Sequence, residues 1–168
     1  MGCDIHTVAQ KRDPSGKWIC VSGEFGGGPD PFDWRQYGMY GWLADVRNYS
    51  EVTPISQPRD LPEDHGLEGW DGAYWPAANR EYGERFLGDH SRSWLSVEEL
   101  LAVDYEQTVE DRRVARQISA NLWSGAETAE PGGGKNMTLR EFLGDSYFRD
   151  LAELQRIGAE RILFGFDS

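Results

Sequence analysis

Strand-like patterns stand at both ends of the 168-residue chain. Residues 5–12 and 17–22 are β-like runs, and the intervening Asp13-Pro-Ser-Gly16 is a turn signal, so we predict an amino-terminal hairpin. Residues 160–167 form a third β-like run. Its apolar face would carry Ile162, Phe164 and Phe166. Because so apolar a strand is hard to leave at the edge of a sheet, we expect it to lie beside the first strand.

Helical spacing and capping signals predict about four helices between these strands. The predicted ranges are 35–48, 96–105, 106–123 and 138–157. The second and fourth ranges begin with capping boxes, in which Ser or Thr is followed three residues later by Glu. The third carries many charges and is predicted to be an exposed helix. Residues 125–136, rich in glycine, are predicted to be a flexible linker.

The stretch from Tyr49 to Asp89 has neither helical nor strand periodicity and is rich in proline, glycine and aromatic residues. Trp70 and Trp75 in this loop are candidates for stacking on a flat ligand such as a nucleobase. Taken together, the elements predict an α+β fold of the broad α/β class. In it, a small mixed sheet of the hairpin and the carboxy-terminal strand is packed by the helices and carries a long aromatic-rich loop. Length and the lack of a long Pro/Ser-rich linker predict a single domain over 1–168.

The acidic composition narrows the function classes. A formal net charge of -12 argues against a nucleic-acid partner, because duplex binding depends on basic residues that neutralise phosphates. No apolar run approaches 20 residues and no secretory leader is evident, so we expect no membrane partner and a cytoplasmic location. Cys3 and Cys20 are not expected to form a disulfide, because a hairpin that sets Ala9 opposite Cys20 leaves Cys3 about 20 Å away.

Asp4 and His6 form the strongest site candidate, since alternate residues of a strand share a face. If the terminal strand pairs with the first in the matching register, Asp167 would join them. Asp and His side chains in a cleft can bind Zn²⁺ or Mn²⁺, and we predict Asp4, His6 and Asp167 as the metal ligands.

A second polar cluster precedes the capping box at 96–99. His90 is predicted to work with Asp4 and His6 in general acid–base catalysis without metal. Ser91 and Arg92 are predicted to bind the ligand, and Arg47 is a further candidate for an anionic group.

Several stretches in chain order resemble one protein family. They are Met1 to His6, Lys17-Trp18, Val46-Arg47-Asn48, His90-Ser91 before a helix, and Phe164-Gly-Phe-Asp167. Together they are similar to a family of short phage-encoded proteins that begin Met-Gly-Cys-Asp-Ile-His. The chain departs from the family at Gly88-Asp89-His90, which lacks a residue between Asp and His, and at Asp167-Ser168, where Asp-Asn is usual. The resemblance implies phage origin and a location in the host cytoplasm, and it implies no catalytic role.

Three functions remain open from the sequence. The first is a small hydrolase that acts on a phosphate ester or nucleotide-like molecule through the Asp/His site, with the arginines offsetting the acidic total. The second is a binding protein that sequesters a nucleotide-like ligand without turnover. The third is an acidic inhibitor of a host protein, whose surface imitates nucleic acid.

Overall fold

The computed structural model describes residues 2–21, 30–67, 86–119 and 122–168, with the backbone alone described at 115–119 and 122–127. The described elements are β1 (Asp4–Arg12), β2 (Trp18–Cys20), α1 (Tyr37–Ala44), β3 (His90–Ser96), α2 (Val97–Leu101), β4 (Thr108–Asp111), β5 (Arg113–Ser119), β6 (Leu122–Thr128), β7 (Lys135–Thr138), α3 (Leu139–Leu143), α4 (Asp145–Arg156) and β8 (Arg161–Asp167). The predicted α+β class is confirmed, with a sheet that contains both terminal strands.

The chain divides into two compact units. The first unit contains Met1–Arg35, Pro58–Val103 and Ser146–Ser168, and the second contains Gln36–Gln57 and Asp104–Asp145. The single domain predicted from the length of the chain stays a prediction.

A four-stranded sheet in the order β2-β1-β8-β3 forms the centre of the first unit. Every pairing in it is antiparallel, so it is an antiparallel rather than a mixed sheet. The hairpin register differs by one residue from the predicted one, because Gln10 and not Ala9 lies opposite Cys20. The Asp13 backbone N–H donates to the Lys17 carbonyl, which lengthens the turn and shifts every pair. Cys3 and Cys20 do not form a disulfide.

Both faces of this sheet are covered near its middle. On one face, Val8 and Leu163 are fully buried together with Leu67 and Leu87. On the other face, the Thr7 hydroxyl donates to the carbonyl of Pro31. The next residue in that loop, Phe32, stacks on Tyr147 of α4 with ring centroids 4.9 Å apart. Burial on both faces fixes the register, because a shift by one residue would turn every side chain to the wrong face.

The second unit corrects two predictions. The helix predicted over 106–123 is wrong, because this range contains β4, β5 and the start of β6. Helical spacing of apolar residues is overridden by cross-strand pairing, in which Val109 lies opposite Met137. The flexible linker predicted over 125–136 is also wrong, since β6 extends to Thr128 and β7 begins at Lys135. The Glu110 carboxylate accepts the backbone N–H groups of Gly132 and Gly134 and so closes the turn before β7.

The other predicted helices form with shorter bounds. Ser96 and Thr138 each cap a helix through a complete capping box, which satisfies backbone N–H groups of α2 and α3. Gly144, with a φ of 82°, separates α3 from α4. None of the described helices is long and apolar enough to cross a membrane.

Candidate functional site: a histidine–aspartate pair at one end of the sheet

His6 and Asp167 form a hydrogen bond at one end of the four-stranded sheet. Antiparallel pairing sets Asp4 opposite Asp167 and His6 opposite Gly165, so these side chains share a face. The His6 ring reaches diagonally across the ladder, and its Nε2 lies 2.7 Å from Oδ2 of Asp167. Diagonal neighbours on adjacent strands are within reach of such side chains. The chain therefore brings together two chemical groups that are 161 residues apart in sequence.

The bond determines which nitrogen of His6 carries the proton. A carboxylate only accepts hydrogen bonds, so Nε2 donates to Asp167, and in the neutral ring the lone pair lies on Nδ1. No described residue binds Nδ1. The side chains are 31% and 49% exposed for His6 and Asp167, so water can reach the pair. The ring of Phe86 stands 6.0 Å from the His6 ring and supplies an apolar wall beside it.

Asp4 points to the same end of the sheet but is held by another residue. Arg35 donates from Nε and Nη2 to Oδ1 of Asp4, at 3.0 and 2.7 Å. The guanidinium also lies against Gly2, where a Cβ atom would come within 2.7 Å of it. Arg35 is a member of the site that the sequence did not indicate, because no motif links it to a strand residue 31 positions away. It offsets one negative charge beside the His6–Asp167 pair.

His90 and Ser91 lie elsewhere. His90 pairs with Phe166 in the ladder, and the two rings stack with centroids 6.0 Å apart. Since consecutive residues of β8 point to opposite faces, His90 lies on the face opposite to Asp167. The Ser91 hydroxyl stands 3.0 Å from Nδ1 of His90. The structure thus brings these two predicted residues to each other, and it does not bring them to His6.

Arg92 lies on the same face of the sheet as His6, because the pairing of β3 with β8 shifts register between His90 and Ser93. Its side-chain stem crosses Gly165, whose Cβ position would be 3.0 Å from Cγ of Arg92. The guanidinium donates from Nε and Nη2 to the carbonyl of Gly88. Among the described residues it has no carboxylate partner. A guanidinium has five N–H donors, so three remain for an anion.

The remaining predicted ligand-binding residues stay predictions. Arg47 belongs to the second unit, where its backbone adopts a left-handed φ of 48°. Trp70 and Trp75 lie outside the described residues.

The predicted metal ligands do not gather as a set. Within the part of the chain that the structure describes, no group of three or more His, Cys, Asp or Glu side chains is arranged to hold a metal ion. Asp4 holds Arg35, and His6 uses Nε2 to hold Asp167. The three side chains therefore already have other partners, through Oδ1 of Asp4, Nε2 of His6 and Oδ2 of Asp167.

The chain was compared with protein-family models, curated proteins and solved structures, and none of them matched.

Proposed function

We propose that the protein is a small hydrolase of phage origin that acts on a phosphate ester or nucleotide-like molecule in the host cytoplasm. The observation that supports it is the hydrogen bond from Nε2 of His6 to the Asp167 carboxylate at an exposed end of the sheet. This arrangement is the one that general bases use, because the carboxylate orients the ring and stabilises its protonated form.

In the proposed reaction, Nδ1 of His6 takes a proton from a water molecule. The water oxygen forms a bond to phosphorus as the ester P–O bond breaks. The leaving alkoxide takes up a proton from solvent and the imidazolium returns its proton to solvent, so the products are an alcohol and a phosphate and His6 is regenerated. Asp167 stabilises the imidazolium while the proton resides on the ring. Proton transfer by a positioned side chain contributes roughly 10²- to 10⁴-fold to the rate.

Arg92 supports the choice of an anionic substrate. The protein has a net charge of -12, which on its own repels phosphate. Arg92 donates only to the Gly88 carbonyl among the described residues and lies on the same face as His6, one strand beyond Gly165. Its remaining donors match the geometry of phosphate oxygens. Arg35 adds a second positive charge beside Asp4.

A divalent metal remains part of the proposal as its alternative form. Zn²⁺ or Mn²⁺ at Asp4, His6 and Asp167 would activate the water directly. In that case the metal would compete with Arg35 for Asp4 and with the His6–Asp167 bond. The two forms differ in one prediction, since only the second requires added metal.

The decisive experiment incubates the purified protein with a bacterial small-molecule extract, with and without Mn²⁺ or Zn²⁺. Nucleotides are followed by mass spectrometry before and after denaturation of the protein. A compound that disappears while a new product accumulates identifies the hydrolase. A compound that disappears and returns unchanged on denaturation shows sequestration without turnover. If no compound changes in either sample, both proposals fail, and a pull-down of host proteins becomes the next experiment.

Variants then test the role of the pair. His6→Gln keeps a side-chain N–H that can reach Asp167 but removes the basic nitrogen, so we expect turnover to fall by roughly 10²-fold or more while the ligand still binds. Asp167→Asn should reduce turnover for the different reason that a neutral amide no longer stabilises the protonated ring. Asp60→Asn is the matched control, because this exposed aspartate lies in the same unit and has no side-chain partner among the described residues. Full activity in His6→Gln would refute the assignment of the base.

A further inference from the structure

A groove opens at the other end of the same sheet. It lies where Arg12, Trp18 and Arg161 meet the segment from Trp94 to Leu101, and its volume is about 490 Å³. Arg12 lies six positions after His6 in β1, which corresponds to roughly 20 Å at the rise of a strand. Small-molecule sites commonly have volumes of about 300–1,000 Å³. The groove is therefore large enough for a small ligand and is separate from the His6–Asp167 pair.

Two tryptophans and an apolar surface line the groove. Trp18 and Trp94 belong to β2 and β3, and both are partly exposed. Val97, Ala159 and Leu101 also line the groove, and the last of these is 43% exposed. Leu101 is one of two large apolar side chains that are this exposed among the described residues. A ligand in this groove would meet indole rings and aliphatic carbon.

Both indole rings already hold a cation of the protein. The Cζ atom of Arg161 lies 3.6 Å from the ring centroid of Trp18. Arg59 stands over Trp94 at 5.0 Å. The face of an indole ring attracts cations through its quadrupole. Trp18 also carries a second guanidinium, because Cζ of Arg12 lies 5.3 Å from its ring centroid. Trp94 carries one guanidinium among the described residues, which leaves the other face of that ring available to a second cation.

The charges around the groove leave one carboxylate without a counter-ion. Arg12 pairs with Glu160 at 2.6 Å, and Arg161 pairs with Asp64 at 3.2 Å. Glu98, which is exposed, lines the groove and has no cation partner among the described residues. The positive groups of the groove are thus neutralised, while Glu98 adds a negative charge to a protein that is already acidic.

We propose that this groove binds a small organic cation of the alkylammonium class. Its charge would lie beside the Glu98 carboxylate, and its alkyl groups would pack against Trp18, Trp94 and Leu101. Aromatic faces combined with a carboxylate are the chemistry that recognises quaternary ammonium groups. The proposal does not depend on the hydrolase activity, since it uses none of the residues at the His6 end of the sheet.

The test uses choline and its uncharged carbon analogue, in which a tert-butyl group replaces the trimethylammonium group. Each is titrated into the ¹⁵N-labelled full-length protein at millimolar concentrations. The indole N–H signals are assigned with Trp18→Phe and Trp94→Phe variants. We expect choline to shift the Trp94 and Trp18 indole signals and the backbone amide of Glu98, and the analogue to bind at least about threefold more weakly.

Two variants determine whether charge and ring both contribute. Glu98→Gln and Trp94→Leu should each weaken choline binding by about threefold to tenfold, the range of one exposed ion pair or cation–π contact. Glu63→Gln is the matched control, because it removes an exposed carboxylate of the same unit that does not line the groove. Unchanged amide spectra elsewhere in each variant show that it is folded.

Two outcomes would overturn the proposal. Equal binding of choline and its analogue would show an apolar groove without charge selectivity. Equal losses in Glu98→Gln and Glu63→Gln would show attraction to the acidic protein as a whole.

Discussion

Replacement of Gly165 by alanine tests how the His6 end of the sheet is built. A Cβ atom at this position would stand 1.9 Å from the backbone oxygen of Leu87. Ordinary contact begins near 3.4 Å, so the segment that contains Leu87 would have to retreat by about 1.5 Å. The obstacle is a backbone atom, which cannot rotate away as a side chain can.

The cost can be worked from what this movement disturbs. Leu87 is fully buried beside Val8 and Leu163, and loss of the burial of such a side chain costs up to about 1.5–3 kcal/mol. The N–H of Asp89 donates to the carbonyl of Phe166 at 2.8 Å, and its loss costs about 0.5–1.5 kcal/mol. We therefore expect Gly165→Ala to lower the free energy of unfolding by about 3 kcal/mol.

Urea unfolding followed by circular dichroism measures this free energy, and hydrogen exchange of the Asp89 amide reports the local opening. Gly144→Ala is the control for strain without a clash, because Gly144 has open space around it and a backbone (φ 82°, ψ 168°) that favours glycine, which should cost about 1–3 kcal/mol and leave the exchange of the Asp89 amide unchanged. Leu87→Ala in the Gly165→Ala background should give no rescue, since the clash involves the backbone. A loss below about 1 kcal/mol in Gly165→Ala with a protected Asp89 amide would refute this reasoning.

Two further predictions concern carboxylates. Hydrogen bonds from Arg59 lower the pKa of Glu99 to about 2, so the pair stabilises the fold above the unfolded-state pKa near 4.3, and this contribution is lost as the pH falls towards 2. Glu99→Gln keeps the capping box and should lower the free energy of unfolding by about 1 kcal/mol at pH 7, a value reduced because the side chains of Arg59 and Glu99 are 30% and 37% exposed. Thermal melts should show that the stability difference between variant and unmodified protein shrinks in acid. A difference that does not depend on pH would contradict this reasoning. Burial raises the pKa of Asp150, so its charge opposes folding increasingly as the pH rises above about 4. Asp150→Asn can still accept the backbone N–H of Phe32, so in the same thermal melts it should be at least as stable as the unmodified protein at pH 7 and should lose this advantage near pH 3. A variant that is less stable at pH 7 would show that the fold needs the carboxylate charge.

The parts of the fold that local sequence signals determine were predicted correctly. The two capping boxes place α2 and α3 because each uses side chains within one helical turn. The alternation of side chains over residues 160–167 predicted the terminal strand. The apolar character of this strand predicted that it lies beside β1. The hairpin register was missed by one residue, since it depends on a hydrogen bond between Asp13 and Lys17 that composition does not specify.

The parts that depend on distant partners were not predicted. The helix assigned to 106–123 failed because the pairing of β4 with β7 joins segments that are about thirty residues apart. At the site, proximity of Asp167 to His6 followed from strand pairing, whereas Arg35 and the stacking of His90 on Phe166 did not. A salt bridge across 31 residues leaves no periodic signal in a single sequence.

The central position of β8 has a consequence for how the chain folds. The sheet cannot form until β8 pairs with β1, and that contact joins residues 161 positions apart. Closing a loop of this length is entropically costly before any pairing compensates for it, and proteins dominated by such contacts fold in milliseconds to seconds. The second unit falls between segments of the first in sequence. We expect the capped helices to form early in refolding, and the His6–Asp167 pair to appear only in the slow phase in which the two terminal strands meet.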